Sequence, residues 1–361
     1  MKKKLILVWL TLLMVLFSSI SIYAEEDVQG DFFEKHVIIN GEEIINYNLQ
    51  YPFLMYNNIT YFPLSPEMQE ILDLEAEMDW ESRTLKLLKT DLTRKNISSN
   101  WMKNNNENVT LSVISEVKVL AFVPGEDDEI QNEDTGIIDT PELAVTELDL
   151  GGAPVLAAGK FLFLPVRAMT AEDSFNWDIY FDPYYGLCIS TEEGVSAESY
   201  CNKEETLRNK GLVSYIKSQN SSITTTVAQQ YLFLFKRASE VSGVKTEVLM
   251  AIASKESHFN AWATSSGGAR GMMQIMPATG AMYGLTTDDL YDAKKNIDMG
   301  AVYVGERIRA YGGDVIKGLS AYNQGSAKVN RGTHSTAYAD RVLAEYNRIG
   351  NYLTVNGFAG Q

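Results

Sequence analysis

The spacing of apolar positions changes along the chain, and each change predicts a different kind of element. Leu5 to Phe17 is an apolar run broken only by Thr11. A basic Met1-Lys2-Lys3-Lys4 precedes it, small and polar residues through Ala24 follow it, and Glu25-Glu26-Asp27 comes next. This three-part layout predicts a secretory signal peptide over residues 1–24, with an uncleaved membrane anchor as the alternative. The run is short for the ~20 residues that a membrane-spanning helix needs.

From about residue 35 to 192 the apolar residues fall in short β-type runs separated by turn residues. Two segments align without gaps, Pro52 to Leu64 and Pro154 to Val166. In each, a turn (Asn57-Asn58, Ala158-Gly159) divides two runs and predicts a hairpin. A helical stretch follows each (Pro66–Leu74, Arg167–Asp173), then a second hairpin centred on Glu81–Arg83 or Asp182–Tyr185. Between the copies, Val109–Val123 alternates like strands and Glu126–Glu142 reads as an acidic inserted loop. Residues 193–225 are polar and predict a linker, with a possible helix inside Lys203–Ser218.

After Thr226 the period becomes helical. Val227, Tyr231, Leu234, Phe235 and Ala238 share a face, and Gly243 ends the run. Thr246 is the expected N-cap of a second helix over Glu247–Ser257. On it Leu249, Ile252 and Ala253 form a stripe whose next member is Glu256. A carboxylate on an apolar stripe, at the negative end of a helix dipole, has its pKa raised by burial and by the dipole. A general acid working near neutral pH needs that shift. Taken alone, the position also suits a solvated glutamate one turn past the stripe.

Charge sharpens the division. The chain has 361 residues and a formal net charge of −16, which argues against a nucleic-acid partner because phosphate backbones need a basic surface. Removing residues 1–24 leaves 28 basic and 47 acidic residues, a net of −19. Residues 25–211 carry −23 and residues 212–361 carry +4. This asymmetry predicts two domains with different surroundings. His36, His258 and His334 have no metal-ligand spacing, so neither metal nor cofactor is expected. Cys188 and Cys201 can form one short-loop disulfide or stay as thiols.

Pro165-Val166-Arg167, followed by a short helix and an aromatic-Asp turn, resembles the copper amine oxidase N-terminal-like domain of secreted bacterial proteins. The first copy departs from that pattern, with Pro63-Leu64-Ser65 lacking the Arg. The resemblance spans about 35–192 and implies a structural or wall-targeting module. Nothing in the region suggests copper.

Four blocks in order carry a second resemblance. They are Glu256-Ser257, then Gly271-Met272-Met273-Gln274-Ile275-Met276-Pro277-Ala278-Thr279, then Ala321-Tyr322-Asn323-Gln324-Gly325, and finally Tyr338. Residues 226–350 thereby resemble the lytic transglycosylase catalytic domain, with Met272 in place of the usual Leu. The resemblance implies an all-α, goose-type lysozyme-like fold after the β-rich α+β repeat domain. It implies Glu256 as catalytic acid/base, with Ser257, Ser265, Gln274, Met276, Tyr322, Asn323 and Tyr338 around the substrate. Four residues before the final Tyr, where many members carry Glu, this chain has His334. The implied substrate is the peptidoglycan glycan strand, cut at the N-acetylmuramic acid–N-acetylglucosamine bond to leave 1,6-anhydro ends by a secreted, wall-associated enzyme. The alternatives are a hydrolytic muramidase, with Asp298 as a second carboxylate, and a wall-binding protein without activity.

Overall fold

The computed structural model describes residues 26–46, 49–90, 110–124 and 143–359. The expected signal peptide and the whole of the acidic loop Glu126–Glu142 lie outside the described residues. The chain divides into two compact units. One is strand-rich and runs to Cys201; the other is helical, begins at Asn202 and also takes in the turn Asp182–Tyr185.

The strand-rich unit contains β1 (Glu26–Gln29), β2 (Asp31–Phe32), β3 (His36–Ile39), β4 (Glu42–Ile44), β5 (Leu54–Tyr56), β6 (Ile59–Pro63), β7 (Leu74–Asp79) and β8 (Thr84–Lys89). It continues with β9 (Thr110–Ile114), β10 (Lys118–Pro124), β11 (Leu143–Glu147), β12 (Val155–Ala158), β13 (Phe161–Pro165), β14 (Asp178–Asp182) and β15 (Gly186–Ser190). Among the described residues they form three sheets. The largest has the order β1-β9-β12-β13-β6-β5-β2, and the hairpins β5–β6 and β12–β13 meet at its centre through the pairing Leu164↔Phe62. Asn57 and Asn58 turn the first hairpin at φ 50° and 61°, a conformation that asparagine tolerates better than most residues.

The other two sheets, β11-β10-β8-β7 and β14-β15-β3-β4, have the same plan. In each, a second hairpin (β7–β8 or β14–β15) receives a parallel neighbour, β10 beside β8 and β3 beside β15. The two helical stretches are shorter than expected: α1 covers Pro66–Ile71, and a 3-10 turn covers Val166–Met169. Asp73, at φ 52°, stops the first and lets Leu74 enter β7. Cys188 in β15 and Cys201 are both buried.

The helical unit is built from α2 (Lys203–Gln219), α3 (Thr225–Ser242), α4 (Thr246–Ser257), α5 (Pro277–Met282), α6 (Ala293–Ala310), α7 (Val315–Gln324), α8 (Ser326–Asn330) and α9 (Ala337–Val355). Over the expected linker 193–225 the helix expected inside Lys203–Ser218 is present, and from Asn202 the segment belongs to the helical unit. Most of it is α2, whose Leu212, Val213, Tyr215 and Ile216 are buried in the helical core. Asn202 caps α2 by accepting from the Glu205 amide. Counting from Asn202, the positive charge of this unit is unchanged in sign. Thr224 caps α3, and Gly243 at φ 72° ends it. Thr246 is the first helical residue of α4, one place inside its expected capping position; Lys245 stands at the cap without a side-chain bond. Packing, not capping, therefore fixes α4: Leu249 to Ala253 are fully buried, and the helix lies against α9 and α3. Among the described residues no helix is long and apolar enough to cross a membrane.

Candidate active site around Glu256

Glu256 lies in the last turn of α4. His258 and Phe259 follow with φ of 52° and 57°, so the chain reverses at once. The Phe259 ring is fully buried against Phe235 and Tyr215 and pins that reversal in the core. Glu256 therefore sits on a helix end with little freedom to shift.

The next segment is a rigid loop. Arg270 and Ile275 exchange both backbone hydrogen bonds at 2.9 Å around the turn 271–274. Gly271, at φ 77°, passes so close to Leu290 that a Cβ would lie 2.0 Å from its carbonyl oxygen. Buried Asn296 in the first turn of α6 ties the loop down: Oδ1 accepts from the Met273 amide at 2.7 Å, and Nδ2 donates to the carbonyls of Leu290 (2.8 Å) and Arg270 (3.0 Å). The carbonyls of Met272 and Met273 face two hydroxyls. Ser257 Oγ donates to the first and Tyr322 OH to the second, each at 2.7 Å. Ser257 thus joins the acid's helix to the loop, and Tyr322 joins α7 to it.

The carboxyl group of Glu256 is partly enclosed. Its Oε1 accepts from Tyr338 OH at 2.6 Å. Tyr338, 5% exposed, stacks on Tyr322 with ring centroids 6.3 Å apart and planes 18° apart. Burial raises the pKa of Glu256, opposed in part by the Tyr338 hydrogen bond and by the field of Arg341. Both tyrosines are held well above their ordinary range, chiefly by burial and further by the charge of Glu256. They stay protonated and donate at neutral pH. The result is a carboxyl group that keeps its proton longer than an exposed glutamate, with one oxygen positioned and the other uncommitted by the bonds above.

The structure brings Glu256, Tyr338, Tyr322, Ser257 and Gln274 into one connected network. Gln274 contributes through its backbone turn at φ 50° and through Nε2, which donates to the carbonyls of Gly271 (3.0 Å) and Ala263 (3.2 Å). Its side-chain NH2 group is thus satisfied by backbone. Ser265, Met276 and Asn323 are exposed. Ser265 Oγ accepts from the Ala269 amide at 3.0 Å, closing its own loop, and Met276 caps α5 with its side chain 45% exposed. Asp298 is engaged elsewhere: it pairs with Arg237 on α3 and, at 3.3 Å, with Lys294.

Among the described residues, a buried carboxylate also stands outside the motif blocks. Glu345, 4% exposed on α9, accepts from Tyr215 and from Ser254 Oγ at 2.8 Å, and pairs with Lys255 at 3.2 Å and Arg348 at 2.9 Å. Ser254 and Lys255 immediately precede Glu256. Tyr338, Val342, Glu345 and Ile349 recur at i, i+4, i+7 and i+11, the same signal that singles out Glu256.

This geometry falls inside a recognised domain. Residues 233–342 match the family described as the transglycosylase SLT domain. Curated relatives share this region. The transglycosylase of Enterobacteria phage PRD1 is 34% identical over 110 residues, covering 30% of this chain and 40% of the relative. Membrane-bound lytic murein transglycosylase C of Edwardsiella ictaluri is 34% identical over 120 residues, covering 29% of this chain and 33% of the relative. The chain therefore spans less than half the length of these relatives. Among solved structures, the 70 kDa soluble lytic transglycosylase of Escherichia coli is similar at 23% identity and a TM-score of 0.29, covering 43% of this chain and 30% of that one. The SLT domain begins within α3 and ends within α9, so it contains Glu256, Tyr322 and Tyr338 but neither α2 nor Glu345.

Proposed function

We propose that this protein is a secreted peptidoglycan lytic transglycosylase in which Glu256 is the single acid/base. The observation that carries the reading is the Tyr338–Glu256 hydrogen bond inside the SLT domain. In the first step Glu256 gives its proton to the bridging oxygen as the bond from that oxygen to C1 of N-acetylmuramic acid breaks. The sugar's own N-acetyl carbonyl stabilises the positive C1. The Glu256 carboxylate then takes the proton of the 6-hydroxyl of the same sugar, whose oxygen bonds to C1 and closes a 1,6-anhydro ring. Protons balance and no water is consumed. A raised pKa serves the first step, and Tyr338, by donating to Oε1, supports the carboxylate needed for the second.

A hydrolytic enzyme of the usual two-carboxylate type requires a partner to activate water. Asp298 is a poor candidate because Arg237 and Lys294 already hold it. The strand-rich unit we assign as a copper amine oxidase N-terminal-like module serving structure or wall targeting. Its net charge is strongly negative, whereas the positive charge of the helical unit suits approach to an anionic wall.

Clearing of purified peptidoglycan tests this reading. Glu256→Gln should slow clearing by about 10²–10⁴-fold, the usual worth of a general acid. Equal clearing by both proteins removes Glu256 from the chemistry. Binding of wall without cleavage by either would make the protein a wall binder.

A further inference from the structure

An exposed aromatic platform stands on the loop that follows the candidate acid. Trp262 is 76% exposed, yet its ring is not loose. It lies nearly parallel to the ring of Tyr291, with centroids 5.6 Å apart and planes 20° apart. Tyr291 is itself fixed. Its hydroxyl bonds to Thr264 Oγ1 at 2.7 Å and accepts from Arg270, whose guanidinium also lies 5.4 Å from the ring centroid. The Trp262 amide donates to Asn260 Oδ1 at 3.0 Å, which sets the backbone of the loop. The neighbouring Ala263 carbonyl takes bonds from the Gly271 amide and from Gln274 Nε2, so the platform and the site network share one rigid loop.

A tryptophan held flat against a second ring, with its other face in water, leaves a large apolar surface uncovered. Its immobilisation has already been met within the fold, so a ligand placed there loses little side-chain entropy. We infer that the Trp262–Tyr291 stack is a saccharide subsite, with the outer indole face receiving one pyranose ring of a β-1,4-linked N-acetylhexosamine strand. This deepens the proposed function and rests on it. Such a ring carries its substituents equatorially and so presents axial C–H groups, whose positive edge suits the negative face of an aromatic ring. A peptide carboxylate is the less suitable occupant, because the negative face of the indole ring repels an anion.

The test uses the full chain and β-1,4 oligomers of N-acetylglucosamine as probe, with affinity read by titration calorimetry in every variant and emission read by tryptophan fluorescence in the wild type. Wild type should bind with a change in emission. Trp262→Ala should bind about tenfold more weakly, and Trp262→Phe should fall between. On long glycan strands Trp262→Ala should raise KM and leave kcat nearly unchanged. Because the side chain is outside the core, circular dichroism should show an unaltered fold. If wild type cleaves peptidoglycan while Trp262→Ala binds the oligomer equally well, the subsite is overturned and the proposed function stands. If an acidic tetrapeptide changes the emission and the sugar oligomer does not, the subsite is likewise overturned. If wild type neither binds the oligomer nor cleaves peptidoglycan, the proposed function fails with it.

Discussion

The hydroxyl of Tyr338 donates to Oε1 of Glu256 across 2.6 Å, joining the first turn of α9 to the last turn of α4. The two residues are 82 positions apart in sequence. The bond lowers the pKa that burial raises, so the tyrosine moderates the acid. Tyr338→Phe removes the moderation and leaves the burial. The pKa of Glu256 should then rise, and the alkaline limb of the kcat/KM profile should move to higher pH. The fall in activity at the optimum should be smaller than for Glu256→Gln. An unmoved limb would mean that the hydroxyl does not act on the acid.

The raised pKa of Glu256 also makes a stability prediction. Its folded-state pKa lies above the unfolded value of about 4.3. Below that unfolded value both states are protonated and there is no penalty. As pH rises through the folded pKa, the buried carboxylate ionises at a cost that the unfolded chain does not meet. Glu256→Gln should therefore raise Tm at pH 7.5, and the gain should disappear near pH 4. Thermal scans at the two pH values check this, and a gain present equally at both would point to some other cause.

Glu345 behaves in the opposite sense. Burial alone would raise its pKa, but bonds from Tyr215, Ser254 and Lys255 hold it below the ordinary value. Its contribution is complete above the unfolded pKa of about 4.3 and is lost as pH falls through the folded one. Glu345→Ala should cost about 2–4 kcal/mol at pH 7, because it strands the hydroxyls of Tyr215 and Ser254 and breaks two ion pairs. Urea unfolding at pH 7 and at pH 3 should give a large difference at the first and a smaller one at the second.

The loop 271–274 depends on Asn296, which satisfies three backbone groups at once. Asn296→Ala should destabilise by roughly 3 kcal/mol, since those groups are buried and lose their partner. Gly271→Ala should be as harmful, because any Cβ collides with Leu290 at a φ that alanine rarely adopts. Both variants should lose activity with Glu256 intact, and urea titration with parallel wall-clearing assays measures the two effects.

Local pattern made part of this legible. The hairpins at Asn57-Asn58 and Ala158-Gly159 followed from turn residues between apolar runs, and Glu256 stood out as a carboxylate on a buried stripe. Glu345 has the identical spacing on α9, but it lies beyond the last motif block, which ends at Tyr338. Helix α2 is legible only as a possible helix within a polar linker, because its four buried apolar side chains are diluted by Lys, Glu, Ser and Asn over seventeen residues. The exchange of parallel strands, β10 onto β8 and β3 onto β15, depends on contacts far apart in the chain, and neither periodicity nor turn chemistry encodes it. Tyr338 and Ser257 were identified by position in a motif. That Ser257 bonds to a loop carbonyl, and so acts by positioning, emerges only from the folded arrangement.

The central claim is most directly tested by the mass of the products released from purified peptidoglycan by the wild-type protein. Transfer to the sugar's own 6-hydroxyl leaves anhydro-muramic ends, lighter by one water than hydrolysed ends. The account predicts anhydro ends as the main product, absent when Glu256 is replaced by Gln. Products bearing only reducing muramic ends would contradict it.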